Sequence, residues 1–152
     1  MRIYVFALIV VFFQTVAFSQ ELPQISSGSI ERMVAFKSSF IGERTVDIWL
    51  PANYPAQAPY AVLYMHDGQN LFDDATSYAG EWGVDEFMDS TTLQKCIVVG
   101  IDNGTDKRLN EYSPYNFNLT GIAAGYKTNK GEGGLYADFL VKTLKPWIDK
   151  KY

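Results

Sequence analysis

Apolar residues are laid out along this chain in two contrasting ways. Two six-residue runs, residues 60–65 (YAVLYM) and 96–101 (CIVVGI), are apolar almost without interruption. A strand with one wet face alternates, so both runs predict strands buried on both faces of a sheet. Each breaks at once into polar residues: His66, Asp67, Gly68, Gln69 and Asn70 after the first, Asp102, Asn103, Gly104, Thr105 and Asp106 after the second. Open parallel sheets bind ligands at the carboxyl ends of such strands. Upstream the pattern changes. Val46, Ile48 and Leu50 alternate with Thr45, Asp47 and Trp49, which predicts a half-buried strand over 45–50. A partner strand over 32–40, joined to it by a tight turn at Ile41, Gly42 and Glu43, makes the pair an antiparallel hairpin.

Helical spacing takes over elsewhere. The stretch 82–93 places Trp82, Val84, Phe87, Met88 and Leu93 among acidic residues, an amphipathic helix. Leu135, Phe139, Leu140, Leu144, Trp147 and Ile148 mark one face of a last helix, interrupted near its end by Pro146. The three prolines within 51–59 make that segment a loop. A hairpin followed by strand, helix and strand argues for an α/β domain whose mixed sheet is antiparallel at its start and parallel further in.

The first residues do not belong to that domain. Arg2, the apolar core at 3–13 and the small residues Ala17 and Ser19 fit a secretory signal peptide over 1–19, with an uncleaved membrane anchor as the alternative. Export predicts a secreted or periplasmic location, with no membrane attachment after cleavage. A polar linker over 20–29 then leads into a single domain over 30–152. The formal charge of -4 with no basic run gives no support for binding to nucleic acid or anionic lipid. Small molecules are the expected partners. The single cysteine, Cys96, rules out an intramolecular disulfide and opens an apolar run, which favours a core thiol over a nucleophile.

The chemistry is incomplete within these residues. No G-x-S-x-G occurs, and the one histidine, His66, sits at the mouth of a strand with no evident serine partner, which favours a structural role. Gly68 and Gln69 offer more, because a glycine directly after a central strand lets backbone N–H groups turn toward a substrate oxygen. The competing reading is that Asp67-Gly68 only makes a turn. Asp67, Asp73, Asp74, Glu81, Asp85 and Glu86 form an acidic stretch that matches no EF-hand spacing and reads as a solvated surface, so neither a metal nor another cofactor is expected.

Four motifs in order add a resemblance: VLYMHDGQNLFD at 62–73, GEWGVDE at 80–86, VVGIDNG at 98–104 and EYSPYN at 111–116. Together they resemble the Putative esterase family, whose members have the α/β-hydrolase fold and include enterobactin esterase-like, esterase D-like and feruloyl esterase-like proteins. The resemblance implies an α/β-hydrolase-type three-layer sandwich and hydrolysis of a carboxylic ester, small-molecule or glycan. It gives Gly68 and Gln69 the oxyanion role. It also brings Trp82, Asn103, Arg108, Glu111 and Tyr112 to the sheet's carboxyl edge as pocket residues or as scaffold, with Arg108 holding a substrate carboxylate or pairing with Glu111. In relatives the nucleophile strand follows the segment matching LKPWIDKKY, so the resemblance implies an N-terminal half with no catalytic triad, inactive alone. By the same strand order, residues 60–65 are expected to form an open sheet edge. The alternative is a secreted, non-catalytic module that grips a glycan or protein with Tyr115, Phe117 and Tyr126.

Overall fold

The computed structural model describes residues 21–56, 58–118 and 129–152. Four strands form one mixed sheet in the order β1-β2-β4-β3, where β1 is Ser29–Phe36, β2 Arg44–Leu50, β3 Ala61–His66 and β4 Cys96–Ile101. β2 is antiparallel to both β1 and β4, and β3 is parallel to β4. Among the described residues β3 has β4 as its only neighbour, so the strand expected at an open edge is at one. Ala61 pairs with Cys96 and His66 with Ile101, which brings the two polar loops out of the sheet side by side.

Helices cover both faces, giving three layers. One face, built from Val46, Ile48, Leu50, Ile97, Val99 and Ile101, packs against Tyr136, Phe139, Leu144 and Ile148 of the last helical stretch. Each such large side chain taken fully from water contributes roughly 1.5–3 kcal/mol. On the other face Trp49 and Val98 meet Leu71, Phe72, Val84 and Met88. β2 is therefore buried on both faces and not on one: Trp49 lies under α1 (Val84–Ser90), with its indole N–H donated to Ser27 O at 2.8 Å. The segment ahead of β1 is docked on this same face, with Ile25 packed into the cluster and Ser26 N bonded to Asp85 Oδ2 at 2.6 Å.

β3 departs from expectation in the opposite sense. Its residues are exposed or half-buried throughout, and Leu63 is 44% exposed. An edge strand lacks the neighbour that would shield it, and no local pattern supplies one. The hairpin connection is also longer than a tight turn, running over 37–43, and the β1–β2 register shifts between Met33 and Phe36, where Ala35 adopts φ 55°. α1 is shorter than its apolar spacing suggested. Gly83, at φ 60°, precedes it and Thr91 turns extended after it, leaving Trp82 and Leu93 outside and Phe87 facing solvent.

The last helical stretch is continuous through Pro146. α3 (Gly133–Phe139) passes into a π-helical segment (Leu140–Leu144) and then α4 (Lys145–Lys151). Proline has no N–H to donate and its ring crowds the carbonyl four residues back. The wider π turn just before Pro146 accommodates both demands, so the helix bends its hydrogen-bond ladder and does not end. Leu135, expected on the apolar face, is exposed.

Candidate active site at the carboxyl end of the sheet

The site begins where β3 stops. Asp67 adopts the left-handed conformation, φ 55° and ψ 47°, and the chain then makes a 3-10 turn over Gly68–Asn70. A left-handed non-glycine residue is strained and persists where its surroundings hold it. Here they do. Arg108 donates from Nε to Asp67 Oδ1 at 2.8 Å and from Nη2 to Oδ2 at 2.7 Å, and Asn103 Nδ2 donates to Oδ1 at 2.7 Å. The Arg108 guanidinium, followed by the Asn103 amide, holds the Asp67 carboxyl below the usual carboxylate range. Charge-assisted, bidentate pairing of this kind fixes geometry as well as energy. Asn103 also donates its backbone N–H to Gln69 Oε1 at 3.3 Å, so the β3 and β4 loops are tied at two points.

Gly68 is required beneath this turn. A Cβ on it would fall 2.6 Å from Ile101 N and 2.7 Å from Gly100 C, both backbone atoms of β4. Only a glycine lets the turn lie on the strand. The turn is closed by Asn70 N to Asp67 O at 2.9 Å and Leu71 N to Gly68 O at 3.2 Å. Its first two amides, those of Gly68 and Gln69, have no acceptor among the described residues.

Above the turn lies a cleft of about 800 Å³, lined by Gln69, Asn70, Tyr78, Trp82, Asn103 and Arg108 together with Asp102 and short polar side chains. Asp102 is the cleft's unusual acid. Burial, and then the nearby Asp47 carboxylate, push it up to about 6, against the pull of Arg32 and Arg44. Its Oδ1 is buried and has no hydrogen-bond partner among the described residues. Asp47 itself is satisfied by Arg32, which donates from Nε and Nη2 at 2.8 and 2.7 Å.

A family model described as Putative esterase matches residues 38–152. The chain belongs to that esterase family. Two solved structures are similar to it. An IroE-like serine hydrolase from Shewanella oneidensis is 27% identical with a TM-score of 0.57, over 81% of this chain and 38% of that one. The BES protein from Bacillus cereus, 20% identical with a TM-score of 0.61 over 87% of this chain and 50% of that one, is alike in fold. This esterase-family chain thus spans half or less of the length of either structure. No curated protein matches it.

The seven residues singled out in this esterase-family sequence divide in space. Gln69, Trp82, Asn103 and Arg108 line the cleft, and Gly68 lies buried under it. Glu111 and Tyr112 do not line it. Glu111 is buried and paired with Arg44, and so is unavailable to Arg108, whose carboxylate partner is Asp67. Tyr112 packs at 5.2 Å from the His66 ring and 5.4 Å from Tyr136, around a separate depression on the α3 side of the sheet. His66 Nδ1 lies 3.0 Å from Tyr136 Oη.

Several participants had no sequence signal strong enough to find them. Tyr78 sits in a loop without periodicity, and Asp102 differs from its acidic neighbours only in what lies around it. The sequence offers Asp67 only as a turn residue before Gly68 and as part of the acidic stretch, not as the partner of Arg108. That stretch is not one solvated surface either: Asp85 is buried with Oδ1 unpartnered, and burial raises its carboxyl. Asp73 and Asp74 accept backbone N–H groups from Gln24, Ala75 and Glu81. Cys96 is half-buried, and burial raises its thiol. Tyr115 is exposed and Phe117 is held by a bridge to Asn129, while Tyr126 and residues 1–20 lie outside the described residues.

Proposed function

We propose that this chain carries the oxyanion side and part of the substrate cleft of an exported serine carboxylic-ester hydrolase, and that it is inactive alone. One observation carries the reading: the Gly68–Asn70 turn, fixed by the Asp67–Arg108–Asn103 network, keeps two amides without acceptors at the carboxyl end of β3. Donors held in place before the reaction stabilise the oxyanion of a tetrahedral intermediate at no cost of reorganisation. In such a hydrolase a base-activated serine attacks the ester carbonyl, the oxyanion forms against these amides, and the alcohol leaves as the carbonyl reforms.

The serine and its base are not among the described residues, where His66 is engaged by Tyr136. The open edge of β3 is the natural place for them. The last helical stretch runs from Tyr136, beside His66 at one end of β3, to Tyr152, whose ring lies 6.3 Å from Tyr54. Tyr54 in turn packs on Tyr60, just ahead of β3. A strand added from that point would run parallel to β3 and end beside Asp67.

The test uses phenylphosphonate, a stable tetrahedral oxyanion, titrated into the isotope-labelled chain. The Gly68 and Gln69 amide resonances should shift, and unmoved amides would overturn the oxyanion role. With p-nitrophenyl acetate and a fluorophosphonate probe the chain should show neither turnover nor labelling. Turnover with a labelled serine would show that it has a nucleophile of its own.

A further inference from the structure

A single turn of helix connects the clamp on Asp67 to the start of β2. α2 (Arg108–Glu111) follows a 3-10 turn over Thr105–Lys107 and carries Arg108, which holds Asp67, as its first residue and Glu111 as its last. Little within those four residues fixes where α2 lies. One turn of helix has no stability of its own, and Leu109, its one apolar residue, is 42% exposed. Its end charges also oppose its polarity, with a cation at the N-terminus and a carboxylate at the C-terminus, the arrangement that a helix dipole disfavours. The position of α2 is therefore set from outside. Asn110 Nδ2 donates to Lys130 O at 2.8 Å and Asn110 O accepts the Glu132 N–H at 2.7 Å, while the two charged ends each find a partner at the sheet.

Glu111 is buried and pairs with Arg44, the first residue of β2, 67 positions away. The pair is fitted against the β4 loop: a Cβ on Gly104 would fall 2.6 Å from Glu111 Oε2 and 2.7 Å from Arg44 Nη2. Arg44 is anchored in turn, donating from Nη1 to Glu43 O at 2.9 Å, and β2 has a strand on either side. The pair is nevertheless not finished as a stabilising one would be. Arg44 Nε and Glu111 Oε2 have no hydrogen-bond partner among the described residues, and a buried ion pair in that state gains little over the cost of its own desolvation. What it fixes is direction. From Arg44 a line of contacts runs through Glu111, the turn of α2, Arg108 and Asp67 to the amides of Gly68 and Gln69.

We propose that Glu111 and Arg44 are positioning residues for the turn after β3: they set where α2 lies, and through it the aim of the Arg108 guanidinium at Asp67. Only the naming of that turn as the oxyanion side rests on the ester-hydrolase reading.

The test follows the side-chain carboxyl carbon of Asp67 by NMR in the isotope-labelled chain, its signal identified by its loss in Asp67→Asn. In the parent the midpoint lies below the usual carboxylate range, and Arg108→Gln, which removes the clamp, should raise it. Glu111→Gln should raise it too. The sign is diagnostic, because taking away a nearby negative charge would by itself lower the Asp67 midpoint, and only a loosened clamp raises it. The same variant should weaken phenylphosphonate binding about fivefold. Glu111→Asp keeps the charge but shortens the tie, so it should also raise the midpoint; it replaces Glu111→Gln if the unpaired Arg44 unfolds that chain, which the Trp49 and Trp147 indole signals report. Ile97→Ala, a core truncation away from this line of contacts, should leave the midpoint where it is. The positioning role is overturned if neither Glu111 variant raises the midpoint, or if Ile97→Ala raises it as much. If the midpoint rises while phenylphosphonate leaves the Gly68 and Gln69 amides of the parent unmoved, the oxyanion reading fails and the positioning stands. If the amides respond and the midpoint does not, only the positioning fails.

Discussion

β3 and β4 are paired in register over six residues, are of nearly equal apolar character, and run in the same direction into polar loops. Yet β4 lies between β2 and β3 and is buried along almost its whole length, whereas among the described residues β3 has a strand on one side only and leaves Leu63 in solvent. An apolar run states that a segment can be buried. Which neighbours bury it is decided by the topology. The two strands also divide the work at the site: β3 delivers the strained, clamped turn at Asp67–Asn70, and β4 supplies the flat backbone on which that turn rests.

The sharpest way to break this arrangement is at the point where the β3 loop touches β4. Gly68→Ala forces a methyl into the backbone at Gly100 and Ile101, and should cost about 4 kcal/mol in urea unfolding. A loss under about 1 kcal/mol would mean that the turn does not rest on the strand. Next in size is a matched truncation of the two strands. Ile97→Ala in β4, where the side chain is 1% exposed, should cost about 3 kcal/mol. Leu63→Ala in β3 should cost under about 1 kcal/mol. Equal losses would show that the β3 edge is covered in solution, for instance by a second chain pairing with it.

How much of this the sequence carries differs between the same two strands. The bounds of β4 coincide with its apolar run because every residue there meets protein, and β3 begins one residue later than its run. The exposure of β3 is not local information. Nor is the burial of Trp49, whose cover comes from α1 and from residues ahead of β1. At the site, the glycine after the strand is legible as a turn with donor amides, and its close approach to the β4 backbone is not. The partner of Arg108 is not legible either. Asp67 lies 41 positions away and Glu111 three, and helical proximity favours the wrong choice until Arg44, 67 positions from Glu111, is seen to occupy it. Pro146 misled for a related reason, because its usual effect is absorbed by the π-helical segment before it.

The last contrast between the strands is electrostatic and is the smallest in expected effect. Each strand runs out into an aspartate, Asp67 after β3 and Asp102 after β4. Arg108 and Asn103 hold the first below its ordinary range, so its stabilisation is present above the unfolded pKa and is lost as pH falls. Asp102 has the opposite sign. Burial lifts it from 3.8 to about 6, so the folded state binds this proton more tightly than the unfolded chain does. Stability from it is whole below the ordinary pKa and is lost as pH rises toward and past 6, by at most roughly 3 kcal/mol once the group is ionised. Asp102→Asn removes that charge while leaving the Asp67 clamp in place. It should raise urea stability by about 2 kcal/mol at about pH 7.5 and change it little at about pH 4. An equal change at both pH values would show that burying the ionised side chain carries no cost.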